Sequence, residues 1–301
     1  MSKKSAKIAA TYFITIFASL GIIGGVSWVM LGPYLKGDTA PATAPPMQTS
    51  VPSAVQHTEY VPTIDDAQTV MAVYDAGNKS SSVTFVLFRS CPERSKLYVI
   101  PLRSDMVTRE GNATIYDMYL SGGIQYVCRA VEGVIGYPVN KYVKLTDSSF
   151  GTFYDLCGSV TFDIPYNMIY ESENAADNTI IKAGEQILDA RTLRKVLIYP
   201  NYNGGEEYRI GVAGELICMM MNNGARGTFA TSLETVYNDL ANSDAEMDIS
   251  RYDFMDMQPA IEYTVTHNSS PAQLVLPSGE VNSVGFVPDN GFLDALPSYF
   301  E

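Results

Sequence analysis

The stretch from Ser121 to Met168 constrains the fold most, because it carries helix, strand, helix and strand signals in one compact order. From Ile124 to Ile135 the apolar residues Ile124, Val127, Val131, Val134 and Ile135 recur at helical spacing, and Gly136 with Pro138 ends the run. Lys141 to Leu145 alternates as a short strand. Asp147 or Ser148 is placed to cap a second helix, with Phe150, Phe153, Tyr154 and Leu156 on its apolar side and Gly158 as its stop. Ser159 to Ile164 reads as another strand, closed by Pro165. This alternation predicts a layered α/β domain in which helices cover a sheet. Phe150, Phe153, Leu156 and Val160 are its expected core residues.

The flanking sequence extends the pattern. Ala67–Tyr74 and Val83–Phe88 read as buried strands, and a polar turn over Arg89–Lys96 returns the chain into a strand at Leu97–Ile100. Asp75 then falls at the carboxyl end of a strand, the edge where open α/β sheets place ligands, and Arg103-Ser104-Asp105 follows another strand end. Gly122 and Gly123 precede the helix beginning at Ile124, where backbone N–H groups could receive an anion. Downstream, the spacing predicts a loop over Tyr170–Ile181 and a helix from Lys182 to about Leu193. A long helix over Glu206–Asn222 follows, with its Ile217–Met221 end buried. Helices are expected over Ala230–Leu240 and Arg251–Gln258, strands over Ile261–Val265 and Gln273–Leu276, a turn over Glu280–Gly285, and a closing helix over Asp289–Phe300. No internal repeat divides this region, so residues 65–301 read as one domain.

The N-terminal part is of another kind. Lys3, Lys4 and Lys7 mark a short tail over residues 1–7. Ile8 to Leu31 then holds no charged residue over about 24 positions, enough to span a bilayer as a helix. Trp28 and Tyr34 sit where interfacial anchors would, and only Lys36 follows closely, so the N-terminus is expected in the cytoplasm and the domain outside the membrane. A cleaved signal peptide is the competing reading, but the apolar run exceeds the usual length of about 7–15 residues and no A-x-A site follows it. Residues 32–64 form a Pro-, Ala- and Thr-rich linker.

Composition narrows the function. The chain of 301 residues is 46% hydrophobic and 18% charged, as a globular chain with ample core should be. Its net charge is −13, and setting aside Lys3, Lys4 and Lys7 leaves −13 − 3 = −16 for the exported part. Such a surface disfavours nucleic acid, which needs a positive patch. Cys91, Cys128, Cys157 and Cys218 are widely spaced without a CxxC pair, which argues against a zinc site. Export permits disulfides, yet Cys128 and Cys218 fall on apolar helix faces, where cysteine acts as a small hydrophobe.

Several motifs in order resemble the LytR-CpsA-Psr (LCP) family of cell-envelope proteins. They are Tyr98-Val-Ile-Pro101, the paired glycines 122 and 123, the Gly136-Tyr-Pro138 turn, Tyr142-Val-Lys144 and Gly158-Ser-Val-Thr-Phe-Asp-Ile-Pro165. Ala183-Gly-Glu-Gln186, Tyr208-Arg-Ile210, Leu276-Pro277 and Val287-Pro-Asp289 continue the series. The resemblance covers roughly residues 65–301. It implies an LCP-like layered fold, a central mixed β-sheet flanked by helices, preceded here by one transmembrane helix.

The resemblance also implies a chemistry: transfer of a glycopolymer from a polyprenyl-pyrophosphate carrier to peptidoglycan. That reaction needs cations for the pyrophosphate, a divalent ion such as Mg²⁺ or Mn²⁺, and an apolar cavity for the lipid. The family supplies them through "RSDTM", "IPRDT" and an Arg-x-x-Arg pair. Here Asp75 matches the aspartate after the first strand, but Ser80–Thr84 replaces "RSDTM" without its arginine or aspartate. Leu102 follows Pro101 where "IPRDT" has its arginine, leaving Arg103 and Asp105 displaced. Tyr199-Pro200 replaces an arginine-bearing stretch, and Arg209 keeps one member of the Arg-x-x-Arg pair while Val212 takes the other place.

Two functions follow. In the first, favoured because losing several charge-assisted bonds of roughly 1.5–3 kcal/mol each cripples pyrophosphate binding, the domain is a non-catalytic envelope protein. Its partner would be a polyprenyl-phosphate-type lipid, a cell-wall glycan or an envelope protein. In the second it is an active, divergent phosphotransferase using Arg103 and Arg209 as cations, with Asp75 and Asp105 as metal ligands. Convergence of those four side chains on one pocket mouth would separate the two. As remnants, both arginines should be replaceable by Ala with folding intact.

Overall fold

A computed structural model describes residues 60–77, 83–170 and 179–301; the expected span Ile8–Leu31 and linker residues 32–59 lie outside them. Among the described residues no helix is long and apolar enough to cross a membrane. The first three strands, β1 (Gln68–Tyr74), β2 (Thr84–Cys91) and β3 (Lys96–Leu102), form an antiparallel meander. Helix α1 (Ile115–Ile135) then carries the chain across so that β4 (Lys141–Leu145) lies parallel to β1. With the short strands β9 (Glu246–Met247) and β10 (Ala272–Leu274), the sheet order is β10-β3-β2-β1-β4-β9. Because β10 runs parallel to β3 and β9 antiparallel to β4, the sheet is mixed.

Strand alternation sends two sets of side chains to two helical layers. Met71, Val73, Phe85, Leu87, Ile100 and Leu102 pack under α1 and the C-terminal helices α8 (Asn290–Ala295) and α9 (Pro297–Phe300). Tyr74, Val86, Val99 and Leu145 face the other layer. That layer comprises α2 (Asp147–Cys157), α3 (Ala190–Leu197), α4 (Gly205–Arg226), α5 (Thr228–Thr231), α6 (Leu233–Ala241) and α7 (Arg251–His267). Each fully buried Leu, Ile or Phe contributes about 1.5–3 kcal/mol. Gly214 lets α4 sit close against the sheet, since a Cβ there would lie 2.4 Å from Leu274 and 2.9 Å from Pro101.

Several expectations change. Helix α1 starts earlier than Ile124, at the Thr114 cap, whose hydroxyl receives the Asp117 N–H while the Asp117 carboxylate accepts from the Thr114 N–H. Gly122 and Gly123 break it midway, and Gly123 holds a φ of 67° that a side chain would strain. Thr146, not Asp147 or Ser148, caps α2. Strand β5 (Val160–Ile164) leaves the central sheet and pairs with β8 (Gly184–Leu188), so the helix expected from Lys182 begins only after the Asp189 cap. The expected loop over Tyr170–Ile181 is flanked by paired strands β6 (Met168–Tyr170) and β7 (Thr179–Ile181).

Ile261–Val265 is helix, not strand: α7 runs through Pro259, whose exposed face lets water take the carbonyl it cannot bond. The expected Ala230–Leu240 helix is divided at Ser232. The Glu280–Gly285 turn belongs to a hairpin of β11 (Gly279–Val281) and β12 (Phe286–Pro288). Phe150, Leu156 and Val160 are buried as expected, but Phe153 is only half-buried, and Met219 in the end of α4 is exposed. All four cysteines are free thiols.

Candidate functional site

The chemistry-bearing residues gather at the edge where β1, β3 and β4 end. Arg103, the first residue beyond β3, is buried, and its Nε and Nη2 donate to Oδ1 and Oδ2 of Asp105 at 2.8 and 2.9 Å. Its guanidinium carbon lies 4.7 Å from the centre of the Phe286 ring. The hydrogen bonds that the guanidinium donates to Asp105 hold it above its usual pKa. Between them, the Ser104 N–H and hydroxyl both donate to Glu206 Oε1, each at 2.9 Å. Glu206 stands in the first turn of α4, where a helix N-terminus favours a carboxylate.

Arg209, one turn further along α4, is 2% exposed. Its Nε and Nη2 donate to Oε2 and Oε1 of Glu206, both at 2.6 Å. Nη1 donates to Thr84 Oγ1 at 3.2 Å and to the Leu197 carbonyl at 3.0 Å, and Nη2 also reaches the Val83 carbonyl at 3.3 Å. A guanidinium has five N–H donors, and these five bonds use all of them. Burial pushes the Glu206 carboxyl up, but Arg209 and the Ser104 donors outweigh it and leave the group below its ordinary range. Arg209 is thus a structural clamp joining α4, α3 and the start of β2.

Asp75, just past β1, turns elsewhere. Its Oδ1 accepts from the Gly77 N–H at 2.8 Å and its Oδ2 from the Tyr119 hydroxyl at 2.6 Å. Burial and this bond raise the Tyr119 hydroxyl well above the usual tyrosine range. Both oxygens of Asp75 and both of Asp105 accept hydrogen bonds, the two aspartates face different partners, and among the described residues no three His, Cys, Asp or Glu side chains gather to hold a metal. Sequence reasoning paired neither arginine with its carboxylate and missed Glu206, Ser104, Thr84 and Tyr119. Only the Glu206–Arg209 spacing of three residues along a helix offered a signal. Tyr199 is buried against Tyr202 with ring centres 5.4 Å apart.

Behind the clamp lies a cavity of about 280 Å³ between the sheet and the second helical layer. Val70, Ala72, Val86, Phe88, Val143 and Leu145 form its floor. Ile217, Met221, Phe229, Ala260 and Ile261 form its roof, and Phe150 and Phe153 its side. Thr84 both lines the cavity and holds Arg209, so the clamp closes this end. Apolar concavity of this kind is how proteins take hydrocarbon ligands.

The LytR_cpsA_psr family model matches residues 66–282. No curated protein matches the sequence. Among solved structures, a candidate transcription regulator from Eubacterium siraeum superposes with a TM-score of 0.70 at 21% identity, over 87% of this chain and 98% of its own. TagV from B. subtilis superposes with a TM-score of 0.60 at 14% identity, over 78% and 95% of the two chains. TagT bound to LI-WTA gives 0.58 at 12% identity, over 81% and 94%. At these identities the likeness is one of fold.

Proposed function

Because the chain belongs to the LytR_cpsA_psr family, we propose that it is an extracytoplasmic cell-envelope protein, anchored by Ile8–Leu31, that binds the chain of a polyprenyl-type carrier lipid and transfers nothing. The observation that carries this reading is that internal partners take every donor of Arg209. For a pyrophosphate to recruit that arginine, Glu206 must let go and remain as a half-buried carboxylate that only the Ser104 donors meet. Breaking such a pair costs about 3–5 kcal/mol, which is roughly 10²–10⁴-fold in affinity. Arg103 is held by Asp105 in the same bidentate way. The cavity depends on none of these charges, so lipid binding outlives the loss of chemistry. TagT with LI-WTA supports a cell-wall glycopolymer or its lipid carrier as the ligand class.

One observation favours the runner-up, an active divergent phosphotransferase. Ser104 and Glu206 link the Arg103 and Arg209 pairs along a single edge, and displacement of Glu206 and Asp105 would free two cations together. Native mass spectrometry of the full chain, extracted from its own membrane, tests the lipid-binding reading. An adduct of isoprenoid mass is expected, and it should be lost in Ala72→Trp, which fills the cavity floor. Protein that carries no lipid, and takes up none when polyprenol is added, contradicts it.

A further inference from the structure

Exposure along the cavity floor runs in one direction on three neighbouring strands. On β1, Gln68, Val70 and Ala72 are half-buried, whereas Tyr74 is 5% exposed. On β2, Ser90 and Phe88 are half-buried, whereas Val86 and Thr84 are 2% and 3% exposed. On β4, Val143, opposite Ala72, is half-buried, and Leu145, opposite Tyr74, is buried. Residues of a covered sheet keep accessible area where a void lies above them, and Gln68 and Ser90 keep it at the outermost pair of β1 with β2, at the sheet's edge. The cavity therefore opens where β1 begins and is shut where β1 ends, against Thr84 and the Arg209 clamp.

The two ends also differ in chemistry. Gln68 and Ser90 are direct cross-strand partners at the open end, and both line the cavity. Among the described residues neither side chain has a hydrogen-bond partner, so an amide and a hydroxyl stand ready at the mouth. Asp66 lies beside them, its carboxylate capped by the Thr63 N–H and hydroxyl. Among the described residues no lysine or arginine lines the cavity. An anionic headgroup would meet a carboxylate here and no counter-charge, whereas a hydroxyl could both donate to and accept from Gln68 and Ser90.

We propose that a long-chain isoprenoid alcohol enters through the mouth at Gln68 and Ser90, with its hydroxyl held there and its tail running toward Thr84, opposite in direction to a ligand whose head sits at Arg103 and Arg209. The proposal rests on the reading that the cavity takes a lipid chain. It assigns the chain's head to an edge away from Arg103 and Arg209, and it makes the uncharged alcohol, not its phosphate, the better ligand.

Photolabelling of the full chain in nanodiscs tests it, using polyprenol with a diazirine beside the hydroxyl, polyprenol with a diazirine at the far end, and the corresponding polyprenyl phosphate. The hydroxyl-end probe should mark peptides holding Gln68 and Ser90, and the far-end probe peptides holding Thr84 and Leu197. Gln68→Leu with Ser90→Ala should weaken hydroxyl-end labelling about five- to tenfold, the scale of one or two hydrogen bonds, without moving the far-end label. The phosphate should label at least tenfold less. Reversed positions, or hydroxyl-end labels on Arg103 to Asp105 and Glu206 to Arg209, overturn the orientation while the lipid reading stands. Phosphate labelling equal to the alcohol overturns the head assignment. Absence of any label that unlabelled polyprenol can displace defeats the lipid reading itself.

Discussion

Arg209 shows how a residue can be singled out correctly and understood only when its partners are seen. Its position, Glu206 three residues earlier and Thr84 on β2 lie far apart or in weak local patterns, and only the fold joins them. As a remnant it would be dispensable. As a buried clamp it is not: Arg209→Ala leaves the half-buried Glu206 without its counter-charge, held only by Ser104, and should cost up to about 3–5 kcal/mol in urea unfolding. Replacing both partners with apolar residues, Arg209→Met with Glu206→Leu, should cost far less, because no charge is then stranded. A loss under about 1 kcal/mol for Arg209→Ala would show that the pair is not a structural element. Arg103 and Asp105 repeat the lesson over two residues, since an aspartate read as a metal ligand already serves a cation.

At the scale of elements, β1 to β4, α1, α2 and α4 were legible because alternation, helical spacing and breakers agreed there. The misreadings came where local signals competed. Ile261, Tyr263, Thr264 and Val265 favour strands by type, yet burial of Ala260, Thr264 and Val265 on one helical face decides the outcome. Around Lys182 the two-residue alternation of β8 wins over the helix expected from Lys182, which begins only after Asp189. Burial within α2 was legible only in part, because a cavity cannot be read from spacing: Phe150 and Phe153 both line the void, but Phe150 is 3% exposed and Phe153 half-buried. Phe150→Ala should therefore cost about 3–5 kcal/mol. Phe153→Ala should cost about 1–2 kcal/mol, since its ring is only half-buried and has fewer neighbours to lose. Equal costs in denaturant melts would mean that the void is filled or closed.

For the whole molecule, charge sets the pH range of stability. Glu206, Asp117, Asp189, Asp253 and Asp289 are all held below the ordinary carboxylate range, Asp253 at about 2 through the Lys141 ammonium and the Ser250 donors. A carboxyl whose pKa is lower in the folded state stabilises above its unfolded value and loses that contribution as pH falls through the folded value. Thermal stability should therefore be nearly flat from about pH 7 to 5 and fall progressively from about pH 4 toward 2. A maximum near pH 3 would contradict these assignments. The tyrosines act on the other side. Burial, with the Asp147 carboxylate behind it, raises Tyr74, so its contribution is complete below about pH 10 and lost above it.

The central claim joins these scales: an LCP fold whose cavity is intact and whose cations are committed to internal carboxylates. The most direct measurement is turnover by the full chain in nanodiscs, given a lipid-pyrophosphate-linked glycan with Mg²⁺ or Mn²⁺, beside a family member bearing the complete arginine set. The control should release polyprenyl phosphate or phosphate, and this protein should release none above the protein-free background. Metal-dependent release by this chain, abolished in a folded Arg209→Lys variant that keeps a charge but not the five-donor fork, would contradict the account.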